Sequence, residues 1–395
     1  MTPDPRRTGI FLVGARGSIA STVLHGLESI RSGLPPIGLV TESPQLSKVD
    51  WTPLNTLHVT GWDVAGNAHR TAEDLARAGI LPRDLVDLCA GLRDRLELSM
   101  APGLAELGDE QSVDSGAKER LALPLPEALG ALRQDIRDWK KAERCRQAVV
   151  VYLATAERMT QVPAAWENAD ANPIELLASA PADLSRSIVY ALAAISEGIP
   201  FVNFTPAPGA SVPCVAEFAK SKAVPVLGND GKTGETLLKT VLAPMFRDRA
   251  LNVLAWEGYN MLGNKDGAAL ADPQRREAKL ANKDAVVPAI LDNDKMHSGV
   301  TIDYVPSLND WKTAMDYIHF EGFLGTKMSL QFTWHGSDSA LAAPLILDLV
   351  RIALHAQANG EGGPLLAAAP FFKSPLGVSD HDFHRQMELL RRWAR

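Results

Sequence analysis

The residues of this chain with the most chemistry in their spacing are lysines. Lys279 and Lys283 lie one helical turn apart, Lys312 follows, and Lys373 stands near the C-terminus in Phe371-Phe372-Lys373-Ser374-Pro375. On a helix, positions i and i+4 share a face, so the first pair points two amines the same way. Left in water, such a like-charge pair costs about 0.2–0.5 kcal/mol. Facing an anion, each charge-assisted hydrogen bond contributes about 1.5–3 kcal/mol. Amines crowded away from water have lowered pKa values, so one can serve as a neutral base while others stay charged. Four such amines gathered together suit an anionic substrate that loses and regains protons. The polar turn Gly263-Asn264-Lys265-Asp266-Gly267 precedes the pair and reads as the mouth of that site. A solvated helix face is the competing reading.

Two glycine turns stand where a lysine cluster needs them. Thr8 to Val13 reads as a short buried strand, and it runs through Gly14-Ala15-Arg16-Gly17-Ser18-Ile19 into a helical pattern. Strand, glycine turn and helix start are the context in which backbone N–H groups meet a pyrophosphate. The spacing is GxxGxxA rather than GxGxxG, and a turn that merely packs a strand on a helix is the alternative. The second turn, Gly228-Asn229-Asp230-Gly231-Lys232-Thr233-Gly234-Glu235-Thr236, again joins a strand to a helix. It offers N–H groups and hydroxyls to an anion, with Lys232 adding charge. It lacks P-loop spacing.

The elements that hold these turns follow a β-α-β rhythm. Pro36 to Val40 reads as the second parallel strand, which makes Glu42 at its end a candidate for an adenosine ribose, or else an exposed loop carboxylate. Ala148 to Ala154 is a continuous β-branched run of central-strand type. Leu184 to Glu197 is a helix that Gly198 can stop. Strands at Pro200 to Phe204 and Ala223 to Leu227 continue the series. The region from Thr71 to about Lys141 reads as a helical, polar flank interrupted near Gly108 to Gly116, with no chemistry in it. Later, strand-like segments at Val300 to Val305 and Lys327 to Trp334 flank a segment read as helical from Trp311. An apolar helix, Leu341 to His355, is capped by Ser337-Asp338-Ser339. The expected fold is α/β: a Rossmann-like doubly wound parallel sheet with a second α+β domain carrying a mixed, open sheet.

Composition narrows the classes. The 395 residues are 46% hydrophobic and 22% charged, enough for a sizeable core in one large or two joined domains. A net charge of −7 argues against nucleic-acid and membrane-surface partners, which call for a basic face. The cysteines Cys89, Cys145 and Cys214 show no metal-ligand spacing and suit a reducing, cytoplasmic compartment. No run approaches the ~20 apolar residues of a membrane span.

Several of these pieces together resemble the myo-inositol-1-phosphate synthase (inositol-3-phosphate synthase) family. The resemblance rests on Gly61-Trp62-Asp63, Thr155-Ala156-Glu157-Arg158, the turn at 228–234 and Leu262-Gly263-Asn264-Lys265-Asp266-Gly267. It also rests on the paired lysines 279/283, Asp310-Trp311-Lys312-Thr313-Ala314-Met315-Asp316, Asp338-Ser339 through Pro344 and Lys373-Ser374-Pro375-Leu376. These run in family order over nearly the whole chain.

The resemblance implies conversion of D-glucose 6-phosphate to an inositol monophosphate with tightly held NAD that ends the cycle unchanged. C5 is oxidised, the keto sugar enolises towards C6, C6 attacks the C1 aldehyde, and the ketone is reduced again. It implies catalytic roles for Lys279, Lys283, Lys312 and Lys373, with Lys279 and Lys373 near C5 and C6 and Lys283 and Lys312 on the C1 oxygen and phosphate. It implies a phosphate cradle at Thr233, Gly234, Glu235 and Thr236. Asp230, Asn264, Asp266, Asp310 and Asp338 match polar positions around substrate, cofactor and a cation, monovalent or divalent. The cofactor side comprises Gly14, Ala15, Arg16, Gly17, Ser18, Ile19, Glu42, Asp63, Thr155 and Ala156, together with Asp230, Asp310 and Asp338. Residues 1–245 are expected to form the NAD-binding domain, completed by 340–395, and 246–339 the catalytic and oligomerisation domain of a homotetramer. Asn229 replaces a frequent Asp, Glu235 a Gln and Lys265 an Asn, and the first turn lacks a Gly-Gly-Asn-Asn-Gly run. These departures leave open a related cyclase on another hexose 6-phosphate. A plain NAD-dependent polyol-phosphate dehydrogenase and a non-enzymatic sugar-phosphate sensor are further alternatives.

Overall fold

The computed structural model describes residues 7–158, 160–264, 267, 286–293 and 295–395. Its strands in chain order are β1 (Thr8–Val13), β2 (Leu57–Asp63), β3 (Ala101–Pro102), β4 (Gln147–Tyr152), β5 (Phe201–Asn203), β6 (Pro225–Leu227), β7 (Asn252–Leu262), β8 (His297–Tyr304), β9 (Trp311–Glu321), β10 (Lys327–Ser337) and β11 (Gly363–Pro364). One sheet has the order β11-β6-β5-β4-β1-β2-β3, and all its pairings are parallel. Strand order reverses between β1 and β4, which opens a crevice beyond their C-terminal ends. The other sheet, β10-β9-β7-β8, is mixed.

The parallel sheet is buried on both faces, and its strands carry the apolar runs that this requires. Ile10, Leu12, Val149 and Val151 face a core closed by helices Ser18–Arg31 and Asp338–Ala358. Phe11, Val150 and Phe201 face the opposite core, closed by helices Leu125–Ala142 and Arg186–Ser196. Each such side chain contributes about 1.5–3 kcal/mol on burial. Helix Asp338–Ala358 is long and apolar enough to cross a membrane, but 72% of its apolar window is buried, and it serves here as a core helix.

Two expectations are corrected. Residues 36–40 form turns leading into a short 3-10 turn, Val40–Glu42, and the second parallel strand is β2. Tandem prolines at 35 and 36 cannot donate to a ladder, and the N–H groups of Val40 and Thr41 are taken by the Asp348 carboxylate at 2.7 and 2.9 Å. The segment read as helical from Trp311 is strand β9, held between β7 and β10. Its side chains alternate: Lys312, Ala314, Asp316 and Ile318 are buried, while Met315 and Tyr317 are exposed. The buried face packs on helix Glu235–Asp248 and helix Val286–Leu291 through Phe246, Trp256, Val287 and Ile318.

Candidate active site

The crevice between β1 and β4 continues into a cleft of about 170 Å³. Of the residues predicted from sequence, Gly14, Gly17, Ser18, Ile19, Thr155, Ala156, Asp230, Thr233, Gly234, Glu235, Thr236, Asn264, Asp310, Lys312, Asp338 and Lys373 line it together. Lys279, Lys283, Asp266 and Lys265 lie outside the described residues.

Three helix starts meet here. Helix Ser18–Arg31 begins at Gly17 and helix Glu235–Asp248 at Gly234, and neither has a side-chain cap. Their first-turn N–H groups and positive dipole ends therefore face the cleft without a capping side chain, as an anion requires. The third, Asp338–Ala358, is capped by Ser337, which accepts from Ala340 N–H at 3.1 Å.

The turn after β1 is shaped by Gly14, at φ +91°, where a side chain is strained. Its N–H donates to Trp62 O at 2.9 Å, and Arg16 N–H donates to Asp63 Oδ2 at 2.7 Å. Asp63 ends β2 and thus holds the position first expected for Glu42. Burial raises the Asp63 pKa, while N–H donors from Arg16, Val64 and Ala65 oppose the rise. The Arg16 side chain turns aside to Glu97 at 2.8 Å and Asp114 at 3.0 Å. Ala15 is buried behind the turn. Glu42 pairs with Arg351 at 2.5 Å and does not line the cleft. A neighbouring cleft shares Gly14, Gly17 and Thr155 with the first and adds Arg16, Asp63, Gly103 and Val113. Part of the flank read as free of chemistry is therefore its wall.

The turn after β6 is bound edge to edge to the C-terminal segment. Asn229 N–H donates to Ser374 O at 2.8 Å, Lys373 N–H to Asp230 O at 2.7 Å and Lys232 N–H to Phe371 O at 2.8 Å. This register points the Lys373 amine into the cleft, where it donates to Asp230 Oδ1 at 2.9 Å. Asp230 Oδ2 is buried with no hydrogen-bond partner among the described residues. Lys232 goes the other way. The residue is 2% exposed, and its amine donates to Gln386 Oε1 at 2.7 Å and lies 5.5 Å from the Phe383 ring centre. Burial lowers its pKa to about 7. The charge expected from Lys232 at the phosphate turn is therefore withdrawn from it.

Glu235 is also turned away. Its carboxylate lies 2.8 Å from Lys239 Nζ, inside the protein. That removes the repulsion expected between a carboxylate and a phosphate at this turn. Across the cleft, Lys312 comes from the buried face of β9, beside Leu262 and Gly336. Asp310 Oδ2 accepts from Ser337 and Ser339 hydroxyls, each at 2.6 Å. Burial raises its pKa, and the two serine hydrogen bonds oppose that. Among the described residues no three His, Cys, Asp or Glu side chains gather as a metal site.

A sequence profile described as Myo-inositol-1-phosphate synthase matches residues 234–339, the span that carries Glu235, Asn264, Asp310 and Lys312. Inositol-3-phosphate synthase 1 of Bacteroides thetaiotaomicron is 34% identical over 99% of this chain and 94% of its own length. The chain belongs to the inositol-3-phosphate synthase family. Inositol-3-phosphate synthase 1 of Oryza sativa subsp. japonica is 29% identical, with 88% of this chain and 74% of that protein aligned. The crystal structure of inositol-3-phosphate synthase from Caenorhabditis elegans superposes with a TM-score of 0.83 at 25% identity, covering 99% of this chain and 86% of that one. Both sheets thus belong to the family fold. Sequence reasoning missed Thr205 and Ser339, which line the cleft beside the predicted residues. Thr205 follows β5, and the rule that ligands sit beyond parallel strand ends would have singled it out.

Proposed function

We propose that this chain cyclises D-glucose 6-phosphate to myo-inositol 1(3)-phosphate with NAD held throughout the cycle. The observation that carries the reading is one cleft in which two uncapped helix starts, Lys312 and the Asp230–Lys373 pair converge at the strand-order reversal. Family membership supports it, since the family is NAD-dependent.

The residues present fit a dinucleotide. Gly14 has the left-handed backbone of a close approach, the Ser18 helix start is uncapped, and a carboxylate closes β2. Gly14, Gly17, Ser18 and Ile19 would hold the pyrophosphate and Asp63 the adenosine ribose. Thr155 and Ala156 would flank the dinucleotide. Bound NAD supplies a hydride acceptor at C5 of the sugar and the hydride donor that later restores it.

The chain's own residues do the rest. N–H groups at the start of helix Glu235–Asp248, with the hydroxyls of Thr233 and Thr236, bind the phosphate. We assign Lys373, with Lys279, to the C5 hydroxyl proton and the C6 proton. Asp230 holds the Lys373 amine in place and keeps a free oxygen for a substrate hydroxyl or a proton in transit. Lys312, with Lys283, stabilises the negative charge that grows on the C1 oxygen as the carbon–carbon bond forms. A cation, monovalent or divalent, is part of this reading through the family resemblance.

We assign a homotetramer built on the mixed sheet. Tyr259, Met315 and Tyr317 form its exposed outer face, with Tyr259 and Met315 paired across β7 and β9. Sedimentation should give a tetramer, and a monomer would reject that interface. Cys89, Cys145 and Cys214 are all buried and unpaired, in keeping with a cytoplasmic enzyme.

The test of function is product analysis with a panel of hexose 6-phosphates and a trace of NAD. Inositol phosphate from glucose 6-phosphate, with no net NADH, is expected. Stoichiometric NADH with an open-chain keto sugar would instead make the chain a dehydrogenase.

A further inference from the structure

Along the wall of the neighbouring cleft, one cation is held back from the space it borders. Arg16 lines that cleft with Asp63, Gly66, Gly103 and Val113. Its main chain is fixed twice. Its N–H donates to Asp63 Oδ2 at 2.7 Å, and its carbonyl accepts from the Thr71 hydroxyl at 2.8 Å. Its guanidinium is engaged by two other carboxylates. Nε and Nη2 donate to Glu97 Oε2 at 3.0 and 2.8 Å, and Nη1 donates to Asp114 Oδ2 at 3.0 Å. Glu97 is itself oriented by the start of helix Ala68–Arg77, where Ala68 N–H donates to Oε1 at 2.7 Å. Asp114 stands at the N-cap of helix Ser115–Leu121 but makes no capping bond, and its carboxylate goes to Arg16 instead.

The place of this cluster in the fold gives it a chemical meaning. Asp63 closes β2, the position from which a carboxylate accepts the ribose hydroxyls of a bound dinucleotide. Where the dinucleotide carries a 2′-phosphate, an arginine beside that position is what accommodates it. Arg16 is such an arginine, since its own N–H meets the Asp63 carboxylate. The other cation among the described residues lining this cleft is Arg186, which donates to the backbone oxygens of Ala105, Ala182 and Leu184. A 2′-phosphate arriving here therefore faces the Asp63 carboxylate while the nearest guanidinium is already paired. A free 2′-hydroxyl needs no cation and donates to Asp63 directly.

We infer that Glu97 and Asp114 set the cofactor choice of this chain: by pairing the Arg16 guanidinium they withhold it from the adenosine 2′ position, so that the cleft takes NAD and rejects NADP. This inference rests on the dinucleotide reading of the cleft. Because Asp63 and Thr71 hold the Arg16 main chain, freeing the side chain leaves the turn after β1 in place. Glu97→Gln also keeps an oxygen for Ala68 N–H, and Asp114→Asn keeps the size of its side chain.

The test is titration of the full chain, freed of nucleotide, with NAD and with NADP, followed by quenching of protein fluorescence. The parent should bind NAD more tightly than NADP by about tenfold or more. In the double variant Glu97→Gln with Asp114→Asn, the ratio of NADP to NAD affinity should rise about tenfold to a hundredfold, as one charge-assisted pair allows. That gain should fade with added salt. Adding Arg16→Ala to the double variant should abolish it. Asp114→Asn alone, at a side chain 56% exposed, should move the ratio the same way by about a few-fold and covers the case of a double variant that does not fold. A cluster that serves only as a staple gives a different result: both affinities fall together and the ratio stays. An unchanged ratio, a gain that survives Arg16→Ala, or a parent that binds both cofactors equally overturns the inference and leaves the cleft a dinucleotide site. Failure of the parent to bind either nucleotide overturns the dinucleotide reading and the inference with it.

Discussion

The two turns that open onto the cleft share a strand–glycine–helix plan and are held in opposite ways. The turn after β1 is short and is fixed by its neighbour in the sheet, through Trp62 O and the Asp63 carboxylate. The turn after β6 is longer and is laced to a segment 143 residues further along the chain, which delivers Lys373 to Asp230. In the proposed function the first turn presents backbone N–H groups to a cofactor that stays bound. In that function the second sets a reactive amine, Lys373, beside the substrate. A loop alone does not fix a flexible lysine, and paired backbone hydrogen bonds with a buried carboxylate do.

The largest effect that separates the two turns should come from Lys373→Ala. Turnover should fall by about 10³ or more, while NAD affinity stays within about twofold, as followed by quenching of protein fluorescence. Asp230 is left without its cation, so a fall of several degrees in Tm is expected in a protein that remains folded. Near-normal turnover would remove Lys373 from the chemistry and much of the contrast.

Lys232 sharpens the comparison from the other side, as a lysine of the second turn that serves packing. Its pKa is lowered from 10.5 to about 7 in the fold. Between these values the unfolded chain binds more protons, so stability rises with pH over that window and levels off below 7. From pH 7 to 8.5 the parent should gain about 2 kcal/mol from this group. Lys232→Met should lose that gain in chemical denaturation, and an unchanged slope would place the amine in water.

Gly14→Ala addresses the first turn. It forces a Cβ into φ +91° and within 3.1 Å of Leu153 O, at a cost of about 1–2 kcal/mol. NAD affinity should drop about tenfold, with little change in the sugar-phosphate KM of enzyme saturated with NAD. Gly234→Ala should do the reverse and more weakly. Its Cβ meets Trp334 Nε1 at 2.8 Å, which tilts the start of the phosphate helix. The KM should rise a few-fold, about 1 kcal/mol, with NAD affinity unchanged. Equal effects of both substitutions on both ligands would merge the two turns into one site.

The parts of this arrangement legible in the sequence were those with a local physical cause. β1 and β4 are buried on both faces and read as apolar runs. Both glycine turns announced themselves at strand ends, and Lys373 stood out in an otherwise apolar turn. The misses arose where distant residues decide the outcome. Leu39 and Val40 look strand-like because Leu39 is buried in the core, yet Asp348, far along the chain, takes the N–H groups of Val40 and Thr41. That reading put Glu42 at the end of the second strand, a position that Asp63 holds. In β9 the exposed face is as apolar as the buried one, so Met315 and Tyr317 hid the alternation. Lys232 and Lys373 look alike as turn lysines, and only the register between their segments sends one inward and the other into the cleft. Glu235 looked repulsive because Lys239 and Asp316 could not be placed beside it.

The central claim is that one cleft both oxidises and restores the same carbon. Glucose 6-phosphate carrying deuterium at C5, turned over with substoichiometric NAD, tests it most directly. The account predicts inositol phosphate that retains the deuterium at the carbon derived from C5, with no build-up of reduced cofactor. Deuterium accumulating in the cofactor, or lost to water from the product, would contradict it.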